Sequence, residues 1–144
     1  MKRNIVLGIA LLAVITTACR NPLSHKKEQS IPKVPRITAQ PQDAAYTIGS
    51  TAQALTVAAS TRDSGVLSFQ WYFNTEDSNK DGTEISGETR ANFIPPTSTL
   101  GIAYYYVVVT NTLKRKTAEI ASRTARIEIG IIPLIITGLS AANK

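Results

Sequence analysis

Two stretches decide the fold, LSFQWYF at residues 67–73 and YYYVVVTNT at residues 104–112. In the first, Leu67, Phe69, Trp71 and Phe73 alternate with Ser68, Gln70 and Tyr72, the period of a half-buried β-strand. The second concentrates aromatic and β-branched residues, which suit a pleated surface whether one face is covered or both, and it predicts a central strand. The same alternation recurs outward from these two. Leu55, Val57 and Ala59 alternate with Thr56 and Ala58, and Ala125, Ile127 and Ile129 alternate with Arg126 and Glu128. Gly65, the SNKDG turn ending at Gly82, Gly87 and the stretch from Pro95-Pro96 to Gly101 punctuate the runs at roughly the 8 to 12 residue spacing of an antiparallel sandwich. No sustained helical period follows the apolar N-terminal run, so the expected class is all-β.

Four segments in order, LSFQWYF (67–73), GTEISGET (82–89), NFIPPTSTLG (92–101) and YYYVVVTNT (104–112), resemble the bacterial immunoglobulin-like domains of surface and secreted proteins. The resemblance covers about residues 35–129 and implies an immunoglobulin-like antiparallel β-sandwich of about seven strands. It implies that Trp71 is the core tryptophan of the third strand, that Val57 and Val107 take the places of the usual cystine, and that Tyr105, two residues before Val107, takes the place of the corner tyrosine. The chain departs from antibody-type domains in having no cystine, because Cys19 is its sole cysteine. Hydrophobic contact must replace the crosslink.

Cys19 also closes an export signal. Lys2 and Arg3 precede an apolar run from Ile5 to Ala18, too short for a span of about 20 residues. The segment Ile15-Thr16-Thr17-Ala18-Cys19 resembles the lipobox of bacterial lipoproteins, which implies cleavage before Cys19 and its lipidation. Thr16 departs from the aliphatic residue preferred there, and an ordinary secretory cut before Cys19 would leave a free thiol. The expected organisation is a signal peptide over 1–18, a lipidated Cys19 with a polar stem to residue 34, the domain over 35–129 and an apolar tail over 130–144. Pro22, Pro32 and Pro35 favour an extended stem. The expected location is the cell envelope, anchored to a membrane at the outer membrane or cell surface, with secretion as the alternative.

Charge narrows the partners. The formal net charge of +6 resides in the leader and stem, since residues 37–144 carry nine Lys/Arg against nine Asp/Glu. A neutral domain lacks the electrostatic footprint that phosphate recognition requires, so nucleic acid is not an expected partner. The only histidine, His25, lies in the stem, which leaves the domain without a Ser-His-Asp arrangement or four zinc ligands. No enzymatic activity, cofactor or metal is therefore expected. Residues 77–88 do match a calcium-loop pattern, with oxygen ligands at Asp77, Asn79 and Asp81, Gly82 at the sixth place and Glu88 at the twelfth. Strand patterns flank it and Glu84 stands where an aliphatic residue is usual, so a solvated hairpin is the expected form.

If Trp71 and Tyr105 point inward, alternation sends Tyr72, Tyr104 and Tyr106 outward on neighbouring strands, where they would form a partner-binding face or simply stabilise the sheet as cross-strand aromatics. The tail segment GIIPLIITGL (130–139) is too short to span a bilayer and is expected to add a strand or flap over a sheet edge, or to begin a truncated further repeat. The function that follows is non-catalytic display of the domain for protein or glycan contact, as an adhesion module or spacer. The alternative is a small envelope protein binding calcium or an ionic ligand through loop 77–88.

Overall fold

The structure, a computed structural model, describes residues 31–131. The expected signal peptide, Cys19, His25 and most of the apolar tail lie outside the described residues. Those described form ten strand segments and no helix: β1 Arg36–Ala39, β2 Ala44–Thr47, β3 Leu55–Thr56, β4 Ala58–Ser60, β5 Val66–Asn74, β6 Thr83–Glu84, β7 Asn92–Phe93, β8 Gly101–Leu113, β9 Lys116–Ala121 and β10 Ala125–Gly130. They pack as an immunoglobulin-like β-sandwich without a disulfide.

One layer is the larger sheet, in the order β2-β10-β8-β5-β6 with β9 also paired to β8. The YYYVVVTNT stretch lies within its central strand, as its composition predicts. β5 runs antiparallel along nine residues of it, placing Trp71 opposite Val107 and Phe73 opposite Tyr105. The first half of β8 pairs with β10 and the second half with β9. Between those two segments Ser122 keeps the ladder intact: its N–H donates to the Val107 carbonyl at 2.9 Å, and the Val107 N–H donates to Ser122 Oγ at 3.0 Å. The sandwich is antiparallel with one exception: β2 joins β10 in parallel, Ala44 opposite Ile127. Both strands can run the same way because β1 and β2 belong to different layers, and the chain crosses between them at residues 40–43.

The second layer consists of β1 on β4 and β3 on β7. β3 and β4 are one extended run interrupted at Val57, whose N–H still donates to the Ala91 carbonyl at 2.9 Å. Leu55, Val57 and Phe93 from this layer meet Trp71, Tyr105, Val107, Ala125, Ile127 and Ile129 from the other in one buried cluster. The two valines at the cystine places and Tyr105 are thus packed in the core with Trp71. Trp71 is fully buried, its indole N–H donates to the Arg90 carbonyl at 2.9 Å, and its ring lies 5.6 Å from that of Phe93.

One polar residue stands in the core-facing row of β8. Asn111 follows Val107 and Val109 in alternation and is completely buried. Its amide nitrogen faces the Lys33 carbonyl at 2.8 Å, Thr61 Oγ1 at 3.0 Å and Asp63 Oδ1 at 2.9 Å. The Lys33 N–H in turn donates to Asp63 Oδ2 at 2.6 Å. Pro32 and Pro35 are buried as well, so the last residues of the predicted stem are docked on the domain. A stem read only from proline and polarity misses this, because the contacts span 30 and 78 positions of sequence.

The Lys33 N–H, then the Asn111 amide, then the Gly65 N–H and Thr61 hydroxyl hold the Asp63 carboxyl far below the usual carboxylate range, against the opposing effect of burial. A carboxyl whose pKa is lowered by folding adds stability that is complete above its unfolded value of about 3.9 and is lost as pH falls toward the folded value. Asp63→Asn should therefore be less stable than the parent above about pH 4, with the gap narrowing on acidification to about pH 2. Thermal midpoints measured across that range check this, and parallel curves would contradict it.

Candidate contact surface

On the outer face of the larger sheet, alternation brings Tyr72 of β5 opposite Tyr106 of β8, with Tyr104 two residues before it in register with Asn74 and Arg126. The Tyr72 and Tyr106 rings are stacked, with centroids 5.2 Å apart and planes inclined by 10°. All three tyrosines thus occupy the predicted face, but the expectation that all three are available for contact is corrected at Tyr106, which is only 3% exposed. Tyr72 and Tyr104 are half-buried. Burial, with Glu84 opposite it in the β5–β6 pair, pushes the Tyr72 phenol above its ordinary pKa, and burial alone does so for Tyr105 in the core.

What covers Tyr106 is the loop that carries the calcium-like pattern. Residues 75–82 join β5 to β6 as a hairpin connection, yet they fold back over β8 instead of projecting into solvent. The Gly82 N–H donates to the Tyr106 hydroxyl at 3.1 Å, and the Asn79 amide reaches across to the Ser122 carbonyl at 2.8 Å. The Thr124 hydroxyl donates to the Asp77 carboxylate. Asn74 organises the loop from its base, donating to the Ser78 and Lys80 carbonyls and accepting from the Glu76 N–H. A Cβ at position 82 would fall 2.8 Å from the Phe73 carbonyl oxygen and 2.8 Å from the Tyr106 ring, so this close approach requires glycine.

The pattern Asp77-Asn79-Asp81-Gly82-Glu88 is therefore used for a different purpose. Asp77 and Asn79 serve as cross-sheet ties, and Asp81 takes the left-handed turn conformation, φ 57°, that leads into Gly82. Among the described residues no three His, Cys, Asp or Glu side chains converge as a metal site would require.

Beside the loop lies an open polar cleft of about 800 Å³. Asp77 to Lys80 form one wall, residues 41–43 another, and Arg123, Thr124 and Arg126 the third. Its walls are fixed by backbone contacts: the Arg126 N–H donates to Asp43 Oδ1 at 2.8 Å and the Arg123 N–H to Gln40 Oε1 at 2.9 Å. The Arg126 guanidinium meets the Glu128 carboxylate at 2.9 Å, which raises its pKa further and keeps the cation oriented along the face. Carboxylate, amide, hydroxyl and guanidinium groups are thus held side by side in an accessible groove next to Tyr104. Sequence patterning did not single out Arg123, Thr124 or Arg126; the one hint was Arg126 in the outward phase of β10.

No protein-family model matches this chain, and no curated protein or solved structure matches it either.

Proposed function

We propose that the protein is a non-catalytic, lipid-anchored cell-envelope protein that displays its immunoglobulin-like domain for protein or glycan contact, as an adhesion module or spacer. The observation that supports this most is the placement of the two ends. The stem meets the domain where Lys33 contacts Asn111, near the end of β8, whereas β10 leaves it opposite Gly101, where β8 begins. Ten residue steps of strand separate those points, about 33 Å. A domain entered at one end and left at the other is suited to holding its far end away from a membrane. A stem from Cys19 to Pro32 would add at most about 45 Å of reach.

The polar cleft beside Tyr104 suits a ligand rich in hydroxyl and charged groups, and tyrosine next to arginine is a favoured contact composition. Ion binding by loop 77–88 has less support, since Asp77 and Asn79 are engaged elsewhere. A photo-crosslinking residue in place of Arg123, in the cleft, should yield defined adducts in intact envelopes. The same residue in place of Thr117, on the remote β9, should not. Equal adducts from both sites, or none from position 123, would overturn the contact reading.

A further inference from the structure

Between the two sheets, at the end of the sandwich remote from Lys33, lies an apolar cavity of about 580 Å³. Phe73, Phe93, Tyr105, Ile127 and Ile129 of the core form its walls, and residues 98–102 form its mouth. The apolar surface continues outside it, with Leu100 53% and Ile102 46% exposed. A mostly apolar recess of this size with an apolar rim is the kind of surface that is covered by something.

The chain itself supplies a candidate at that place. Ile129 both lines the cavity and stands opposite Gly101 at the mouth, so the backbone leaves the sheet within one interstrand spacing of the opening, about 5 Å. Ile131 continues the core-facing row of Ile127 and Ile129 by alternation, yet it is 70% exposed. Residues 132–139, IPLIITGL, then contain five large aliphatic residues and no charge. By sequence, a proline at position 133 favours an extended conformation for the residue before it and disfavours a helix through this point. At about 3.3 Å per residue, three or four residues suffice to bring the segment over the mouth. In an extended run, residues two positions apart such as Leu134 and Ile136 would share a face.

We propose that residues 132–139 fold back over this end of the sandwich and seat Leu134 and Ile136 in the cavity. The segment completes the core at the end farthest from the stem. This inference stands independently of the contact role.

Two measurements on the full chain carrying Cys19→Ala test it. In the first, Thr99→Cys combined with Leu134→Cys should give an intramolecular disulfide on mild oxidation, whereas Ser68→Cys at the outer face of β5, combined with Leu134→Cys, should not. Absence of the first crosslink, equal yields from both pairs, or crosslinked dimers in place of monomers would overturn the proposal, the dimers pointing to a second copy as the occupant. In the second, the dye ANS should bind weakly to the intact chain. Leu134→Asp with Ile136→Asp should increase its emission several-fold while the fluorescence of Trp71, the single tryptophan, stays native-like. Equal dye binding by both proteins would mean that the cavity stands open, and would also overturn it.

Discussion

Trp71→Ala is expected to destabilise the domain by about 3–5 kcal/mol, the range for removing a large buried ring. The cost should fall toward the upper part of that range because two contacts of the side chain are lost together. The ring fills the centre of the cluster between Phe93 and Val107, and its indole N–H satisfies the Arg90 carbonyl, while the Trp71 main chain accepts from Ile85 and donates to Glu88. The segment from β6 to β7 is thereby held against β5. With no cystine between the layers, no covalent link limits the loss. In urea, with a slope of about 2 kcal/mol/M, the unfolding midpoint should fall by roughly 2 M. A midpoint within a few tenths of the parent would mean that Trp71 is not the centre of the core.

The second large effect is expected at a residue with no side chain. A Cβ at Gly65 would lie 1.9 Å from Asn111 Oδ1 and 2.8 Å from its Cγ, closer than real atoms approach. Gly65→Ala must therefore displace the Asn111 amide, which is held in place by its contacts with Lys33, Thr61 and Asp63. Turning the amide over would face its oxygen to the Asp63 carboxylate, so the clash cannot be relieved by rotation. Asn111 Oδ1 is buried with no hydrogen-bond partner among the described residues, so the site already carries one unsatisfied acceptor. Overpacking of this kind costs about 1–3 kcal/mol. Because the two severest clashes are with Asn111, the third being with Asp63 Oδ1 at 2.9 Å, Gly65→Ala should cost less in an Asn111→Ala background. A double-mutant cycle by chemical unfolding should give a coupling of about 1 kcal/mol or more. Strictly additive effects would contradict the mechanism.

Both sites illustrate what could be read in advance. Val57 and Trp71 were legible because a half-buried strand writes its burial into alternate positions, and turn residues marked where each strand stopped; Tyr105 and Val107 lie in a run without polar alternation, and their inward phase was implied by the resemblance to immunoglobulin-like domains. Asn111 was not singled out, although it continues the core-facing row of Val107 and Val109, where a polar residue signals a buried hydrogen-bonding site. Its partners were not legible, since the Lys33 contact depends on how the far end of the sandwich closes.

The same limit explains Tyr106. Period-two reasoning assigns its face correctly, but burial on that face depends on the loop over residues 75–82, whose ties to Ser122 and Thr124 cross 43 and 47 positions of sequence. The loop itself was misleading in composition. Acids, amides and glycine suit both a calcium loop and a connection that must satisfy its own backbone while turning sharply. Flanking strands separated the two readings, and the cross-sheet ties account for why those residue types occur there. The polar cleft was the least legible part, because it joins residues from three separated segments, none with a motif of its own.

We propose that this sandwich is held to a membrane through Cys19, with its far end presented outward. Several acyl chains, at about 0.8 kcal/mol per buried CH₂, would make that attachment firm, whereas a secreted form would carry only a thiol. Detergent phase partitioning of the chain produced with its own leader in a bacterial host tests this most directly. The account predicts the parent in the detergent phase and Cys19→Ala in the aqueous phase, folded in both cases by Trp71 fluorescence. Recovery of both proteins in the same phase would contradict it.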